Sequence, residues 1–178
     1  MALSDDIEIK DFSGDVVLNK KPQTAINTAH ITPTISFDDT ECIRKFEGFS
    51  LKSYPDPVTK ADPWTIAWGL TGSWVKPGLV IDQETAVTRF MERITCTHEQ
   101  IIHLLSVNIN KNQHIAILSL TWNIGIGNFK SSTLLKKINS NNITAAADEF
   151  LKWNKAGGKI IPGLTKRRTE ERKLFLTA

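Results

Sequence analysis

Glu41-Cys42-Ile43-Arg44-Lys45-Phe46-Glu47-Gly48-Phe49-Ser50-Leu51-Lys52-Ser53-Tyr54-Pro55-Asp56, continuing to Trp64-Thr65-Ile66-Ala67-Trp68-Gly69, is the stretch on which the reading of this chain turns. Ile43, Phe46 and Glu47 share one face at three- and four-residue spacing while Arg44 and Lys45 point away, which predicts a short helix stopping at Gly48. Asp38 or Asp39 is placed to cap it, and Glu41 falls in its first turn, where the helix dipole favours an anion. Beyond Gly48 the pattern changes. Pro, Gly and Asp-Pro turns, with the β-formers Thr65, Ile66, Trp68 and Val75, predict a small β-rich lobe over Leu51 to Trp74.

Two carboxyls in this stretch have contrasting surroundings. Glu47, at the buried edge of a helix end beside Phe46 and Phe49, is expected to have its charged form disfavoured by desolvation and its pKa raised. Asp56 sits in Tyr-Pro-Asp-Pro, where two prolines hold an extended or turning, solvated loop, and is expected to stay ionised. A proton donor and an anion of this kind are what glycoside hydrolysis requires, with Thr65, on a strand expected from the pattern, available to hold a water. Taken singly, each residue has a plain structural reading: a helix-end ion pair, a turn former and a strand residue. Their order and setting favour the chemical one.

Glu47, Asp56 and then Thr65, opening Thr-Ile-Ala-Trp-Gly, resemble the Glu, Asp, Thr constellation of the phage-type lysozymes, the muramidases or endolysins of glycoside hydrolase family 24. Later motifs resemble that family in the same order: Asn123 through Leu135, Trp153-Asn154-Lys155-Ala156-Gly157-Gly158, and Gly163-Leu164-Thr165-Lys166-Arg167-Arg168. The resemblance covers residues 37 to 178, and four ordered motifs are far more specific than one signature. It implies that Thr71, Trp122 and Ser132 line the substrate cleft, and that an arginine near the last motif pairs with the glutamate. There are departures. Asp56 and Thr65 are further apart than in the commonest family form, a spacing shared by a subgroup with Asp-Pro and Pro-Trp-Thr here. The family often has Gly where Ala67 stands and His where Leu70 stands.

With 178 residues, one domain plus an arm fits best. No run of eighteen apolar residues is present, and the acidic, polar N-terminus lacks the pattern of a signal peptide, so neither a leader nor a membrane span is expected. Cys42 and Cys96 lack metal spacing and are too few for a disulfide framework, which leaves buried or half-buried thiols or a single bridge. The formal charge of +3 is uneven: residues 1–36 hold five acids against three lysines, a net of −2 that leaves +5 on the remainder. That remainder suits an anionic partner such as cell wall, outer-membrane lipid or nucleic acid, or is simply a solvated surface.

Residues 1–36 are rich in Thr, Asn and Asp, with Pro22 and Pro33 breaking any helix, and read as an arm outside the catalytic domain: either a disordered extension or a docking segment. Ile7-Glu8-Ile9 and Val16-Val17-Leu18 suggest a hairpin within it. Val80 to Val107 predicts a long helix capped by Asp82, with a break expected near Thr95-Cys96-Thr97. Asn112 to Trp122 predicts the central buried helix, ending in a turn over Asn123 to Gly127. Ser132 opens another helix through Leu134, Leu135 and Ile138; Ile143 to Trp153 is a further one. His98, His103 and His114 have no i, i+4 pairing and read as ordinary surface or core histidines. In the last helix, Gly163 to Leu176, Arg167 and Arg168 fall on either edge of the apolar stripe, so spacing does not choose between them, nor against both facing solvent. Trp64, Trp68, Trp122 and Trp153 suit either core packing or a sugar-stacking wall.

The expectation is therefore a mainly α-helical α+β chain with a two-lobe lysozyme-like fold: a small β-hairpin lobe and a helical C-terminal lobe joined by a long helix. Residues 1–36 form the arm and 37–178 the catalytic domain. Glu47, Asp56 and Thr65 are the expected catalytic residues, with no cofactor and no metal. The expected partner is the peptidoglycan glycan strand rather than nucleic acid, the expected state a monomer. The expected setting is an endolysin held in the host cytoplasm, released through a holin, and acting on the wall in the periplasm. The competing expectations are a virion- or secretion-associated lysozyme delivered by the arm, and a non-catalytic wall-binding module.

Overall fold

The computed structural model describes residues 33–55 and 62–177, together with the backbone of two short strands nearer the N-terminus. Those strands are β1 (Ile9–Lys10) and β2 (Val16–Val17). They pair antiparallel with Ile9 opposite Val17, in line with the hairpin expected there. The rest of the arm up to residue 32 lies outside the described residues, as does Asp56. A single 3-10 turn (Asp38–Thr40) leads into α1 (Glu41–Arg44), followed by β3 (Ser50–Pro55), β4 (Trp64–Ala67), α2 (Gln83–Ile102) and α3 (Lys111–Ile124). Then come α4 (Ile126–Ser131), α5 (Thr133–Asn139), α6 (Ile143–Phe150), β5 (Lys155–Ala156), β6 (Lys159–Ile160) and α7 (Pro162–Phe175). Helices dominate and the strands form small antiparallel pairs, as expected of an α+β chain. By packing, the chain divides into two units, residues 1–29 with 48–86 and residues 30–47 with 87–178.

In the first unit β3 and β4 pair with Tyr54 opposite Thr65 and Pro55 opposite Trp64, with an irregularity between Ser50 and Tyr54. The segment after Val75 returns along β3: Ser53 donates its N–H to the Leu79 carbonyl at 2.8 Å, and Ile81 donates to that of Leu51 at 3.0 Å. Ile66, Ala67, Leu70 and Val75 are buried. Ile66 and Leu70 exchange both backbone hydrogen bonds at 2.9 Å, closing a tight turn in which Ala67 has φ 51° and Gly69 φ 86°. The turn takes Trp68 out of the strand to meet Phe49, their ring centroids 4.4 Å apart.

In the second unit Phe90, Ile94, Thr97 and Ile101 form the buried stripe of α2 at helical spacing. Asp82 caps α2, accepting the Thr85 N–H at 2.7 Å. The helix runs unbroken through Thr95-Cys96-Thr97, against the expected interruption, and ends at Ile102 rather than Val107. Thr97 satisfies its hydroxyl inside the helix by donating to the Arg93 carbonyl at 2.9 Å. A capping box between Asn110 and Gln113 opens α3, which is buried from His114 to Thr121 on every face, more than the single face expected. It packs on α7.

Other boundaries also differ from expectation. The turn expected over Asn123 to Gly127 shrinks to Gly125 alone, at φ 83°, because Ile126–Ser131 forms its own helix. Ser132 does open α5. The helix expected to reach Trp153 stops at Phe150, and residues 155–160 form a hairpin turned by Gly157 and Gly158, both at positive φ as a two-residue turn of this kind requires.

Cys42 and Cys96 are free thiols, so the bridge is absent. His114 is a fully buried core histidine, and His98 Nδ1 lies 2.6 Å from its Nε2. Among the described residues no helix is long and apolar enough to cross a membrane, and no group of three or more His, Cys, Asp or Glu is arranged to hold a metal.

Candidate active site

The regular part of α1 ends at Arg44, earlier than Gly48, yet the chain keeps turning. Phe46 donates its N–H to the Ile43 carbonyl and Glu47 to that of Arg44, the tighter bonds that commonly finish a helix. These bonds fix the Glu47 backbone just before Gly48. Its side chain is 20% exposed, and Oε1 accepts a 2.7 Å hydrogen bond from Arg167 Nη1 on α7. Isolation among apolar neighbours is therefore not the main feature of this carboxyl. Holding one oxygen orients the carboxylate plane while the partial exposure leaves it open to solvent.

Arg167 is itself held on all three nitrogens. Nε donates to Glu171 Oε1 at 3.0 Å, one turn along α7, and Nη2 donates to the Ser119 carbonyl on α3 at 3.0 Å. Its guanidinium carbon lies 5.4 Å from the centroid of the Phe46 ring. Ser119 also donates its hydroxyl to Glu171 Oε1 at 2.7 Å. On the other side of Glu171, Arg168 Nη1 stands 3.2 Å from Oε2, while Arg168 Nη2 donates to Asn123 Oδ1 at 2.8 Å. Helical spacing left the two arginines equal. Both are buried, and Arg167 is the one that reaches Glu47.

The charges balance, Glu47 and Glu171 against Arg167 and Arg168. Burial pushes the Glu171 carboxyl up, and Arg168, Ser119 and Arg167 draw it back towards its anion. Burial likewise lowers Arg168 to about 10, far above neutrality, so it remains a cation. The Cys42 thiol beside this cluster is pushed up to about 11, first by burial, and stays protonated. Sequence reasoning missed Ser119 and Glu171 as parts of this site. The i, i+4 spacing of Arg167 to Glu171 was a signal for the latter, but it is shared by countless surface pairs.

The remaining expected site residues are divided between the two units. Thr65 is half-buried on β4 opposite Tyr54, in the first unit, and Thr71 is exposed in the turn that follows. The strand ends Pro55 and Trp64 pair with each other, while Asp56 lies outside the described residues. In the second unit Trp122 is half-buried with its ring 5.1 Å from that of Phe90. Ser132 is buried, and its hydroxyl accepts the Leu135 N–H at 3.1 Å as the N-cap of α5.

Known proteins resemble this chain in sequence and in fold. The family model described as phage lysozyme matches residues 44–171. The endolysin of Bacillus phage B103 is 43% identical over 135 residues, covering 76% of this chain and 51% of that protein. The endolysin of Salmonella phage P22 is 38% identical over 147 residues, covering 80% of this chain and 98% of that one. Among solved structures, the muramidase domain of SpmX from Asticaccaulis excentricus superposes with a TM-score of 0.73 at 28% identity, over 82% of this chain and 99% of that one. The chain spans about half the length of the Bacillus phage endolysins that it matches. A matched segment that runs from α1 to Glu171, together with a relative covered almost end to end, decides the family: the chain belongs to the phage lysozymes.

Proposed function

We propose that this chain is a muramidase that hydrolyses the β-1,4 bond between N-acetylmuramic acid and N-acetylglucosamine in bacterial peptidoglycan. The observation that carries the reading is the partly exposed Glu47 carboxylate held by Arg167 in a chain of the phage lysozyme family. Glu47 protonates the glycosidic oxygen as the bond breaks. Asp56 supplies the anion that stabilises the oxocarbenium-like sugar, and Thr65 helps it position a water. Attack by that water inverts the anomeric carbon; attack by Asp56 instead forms a covalent glycosyl-enzyme that a water then hydrolyses, two displacements that give net retention. Thr71 and Trp122 are proposed to contact the glycan, Trp122 through its aromatic face. No step requires a cofactor.

As an endolysin, a name carried by its relatives, the protein accumulates in the host cytoplasm as a monomer, leaves through a holin, and lyses the cell by acting on the wall in the periplasm. A second reading, a lysozyme delivered by a virion or secretion apparatus, is favoured by the acidic arm and its strand pair β1–β2, both N-terminal to the matched segment. Deleting residues 1–36 separates them: loss of particle association with intact hydrolysis supports delivery, and no change supports the free enzyme. Mass analysis of digested peptidoglycan tests the activity. Reducing-end muramic acid is expected; anhydro-muramic ends, or binding without sugar release, contradict it.

A further inference from the structure

Resting on the reading of Glu47 as proton donor, the network behind it raises a question that the Glu47–Arg167 pair alone does not answer: what holds the arginine. Arg167 comes from α7, Ser119 from α3, and Glu47 from the turn after α1, so three separate segments meet at one guanidinium. A flexible arginine turned slightly about its own axis presents a different nitrogen to the carboxylate. Here Nε is tied to Glu171 and Nη2 to the Ser119 carbonyl, which leaves Nη1 directed at Glu47. Glu171 is 1% exposed and is itself gripped by the Ser119 hydroxyl and flanked by Arg168, which is fully buried.

We propose that Glu171 is a positioning residue of the reaction: through Arg167 it fixes the Glu47 carboxyl, and together with Arg168 it sets the buried charge behind that pair. The groups facing this cluster are few. From α7 they are Arg167 and Arg168, from α1 the Cys42 thiol, and from α3 the uncharged Ser119. Lys45, the other cation nearby, is paired with Glu170 on the exposed side. Cys42 stays protonated and Arg168 stays a cation around neutrality, and Glu171 is the buried carboxyl that faces it.

The test is the alkaline limb of the kcat profile, where an acid catalyst loses its proton and the rate falls. Glu171→Gln keeps an oxygen that accepts from Arg167 and Ser119 but removes a negative charge. Glu47 then ionises more readily, and the limb moves to lower pH by about 0.5 to 1 unit. Arg168→Met removes a positive charge of similar bulk, and the limb moves to higher pH by a similar amount. The double substitution restores the balance and returns the limb to its wild-type position. KM for soluble peptidoglycan fragments stays within about twofold throughout, because neither residue touches substrate.

Shifts of opposite sign in variants with native circular dichroism support the proposal. Limbs that coincide with wild type, or that shift in the same direction, overturn it, since a purely structural role gives no reason for opposite signs. If one single variant fails to fold, the sign from the other decides; if both fail, the neutral double must keep the wild-type limb, and a displaced limb overturns the proposal. Glu47→Gln, measured alongside, separates the two claims. Full activity there removes Glu47 as donor, whereas inactivity there with unmoved limbs removes only Glu171.

Discussion

Arg167 Nη1 donates to Glu47 Oε1 at 2.7 Å across 120 residues of sequence, from a guanidinium whose other two nitrogens are also engaged. The pair depends on the planar fork of arginine. Arg167→Lys keeps the charge but offers one point donor on a flexible stem, which cannot serve Glu47, Glu171 and the Ser119 carbonyl together. The expected result is a fall in kcat of about ten- to a hundredfold and a loss of about 2 to 4 kcal/mol of stability, because buried acceptors lose their donors. Steady-state kinetics and urea unfolding check both. Wild-type values for each would mean that the charge alone suffices.

Ser132 was expected at the cleft and is found capping α5, buried and bonded to the Leu135 N–H. Ser132→Ala is therefore expected to cost about 1 kcal/mol of stability, as loss of an N-cap does, with KM within about twofold. Denaturant midpoints and fragment kinetics measured on one preparation check it. A raised KM at unchanged stability would show that this residue serves the substrate and not the helix.

The His98–His114 pair predicts acid sensitivity. Burial, and then the neighbouring His98, lower His114 from 6.5 to about 3, and burial lowers His98 as well. A histidine whose folded pKa lies below its unfolded value binds its proton more readily when unfolded. Its contribution to stability is thus present above pH 6.5 and is lost as pH falls towards 3. Through that window the loss is roughly 1.4 kcal/mol per pH unit at most for one such group. His114→Gln, which retains a polar partner for His98, is expected to flatten the fall. Thermal midpoints of the two proteins from pH 7 to pH 4 provide the comparison, and parallel curves would contradict it.

Ala67 occupies a position where the family often has glycine, and its φ of 51° explains why glycine suits it. Relief of left-handed strain, about 1 to 2 kcal/mol, offsets the lost methyl burial and the backbone entropy of glycine. Ala67→Gly is expected to lie within about 0.5 kcal/mol of wild type. Ala116→Gly, at an equally buried site inside α3, is expected to cost about 2 kcal/mol. Equal losses at the two positions would show that the left-handed backbone at Ala67 carries no strain.

These residues also show how far the sequence could be read. Local signals were legible: Asp82 capping α2 and Ser132 capping α5 each act within a few residues of themselves. The break expected in α2 at Thr95-Cys96-Thr97 is absent, and the buried stripe of Ile94, Thr97 and Ile101 runs straight through it. Contacts between distant segments were not legible. His98 and His114 meet across two helices, and nothing in their spacing announces it. The choice between Arg167 and Arg168 depends on how α7 is rotated against α3, which helical periodicity gives only to within one residue.

The account rests on Glu47 as the proton donor, and the most direct measurement is the rate at which Glu47→Gln clears a suspension of exposed cell walls. With the fold verified by circular dichroism, clearing is predicted to fall at least about a hundredfold, as expected when a general acid is removed. Clearing at the wild-type rate would contradict the account.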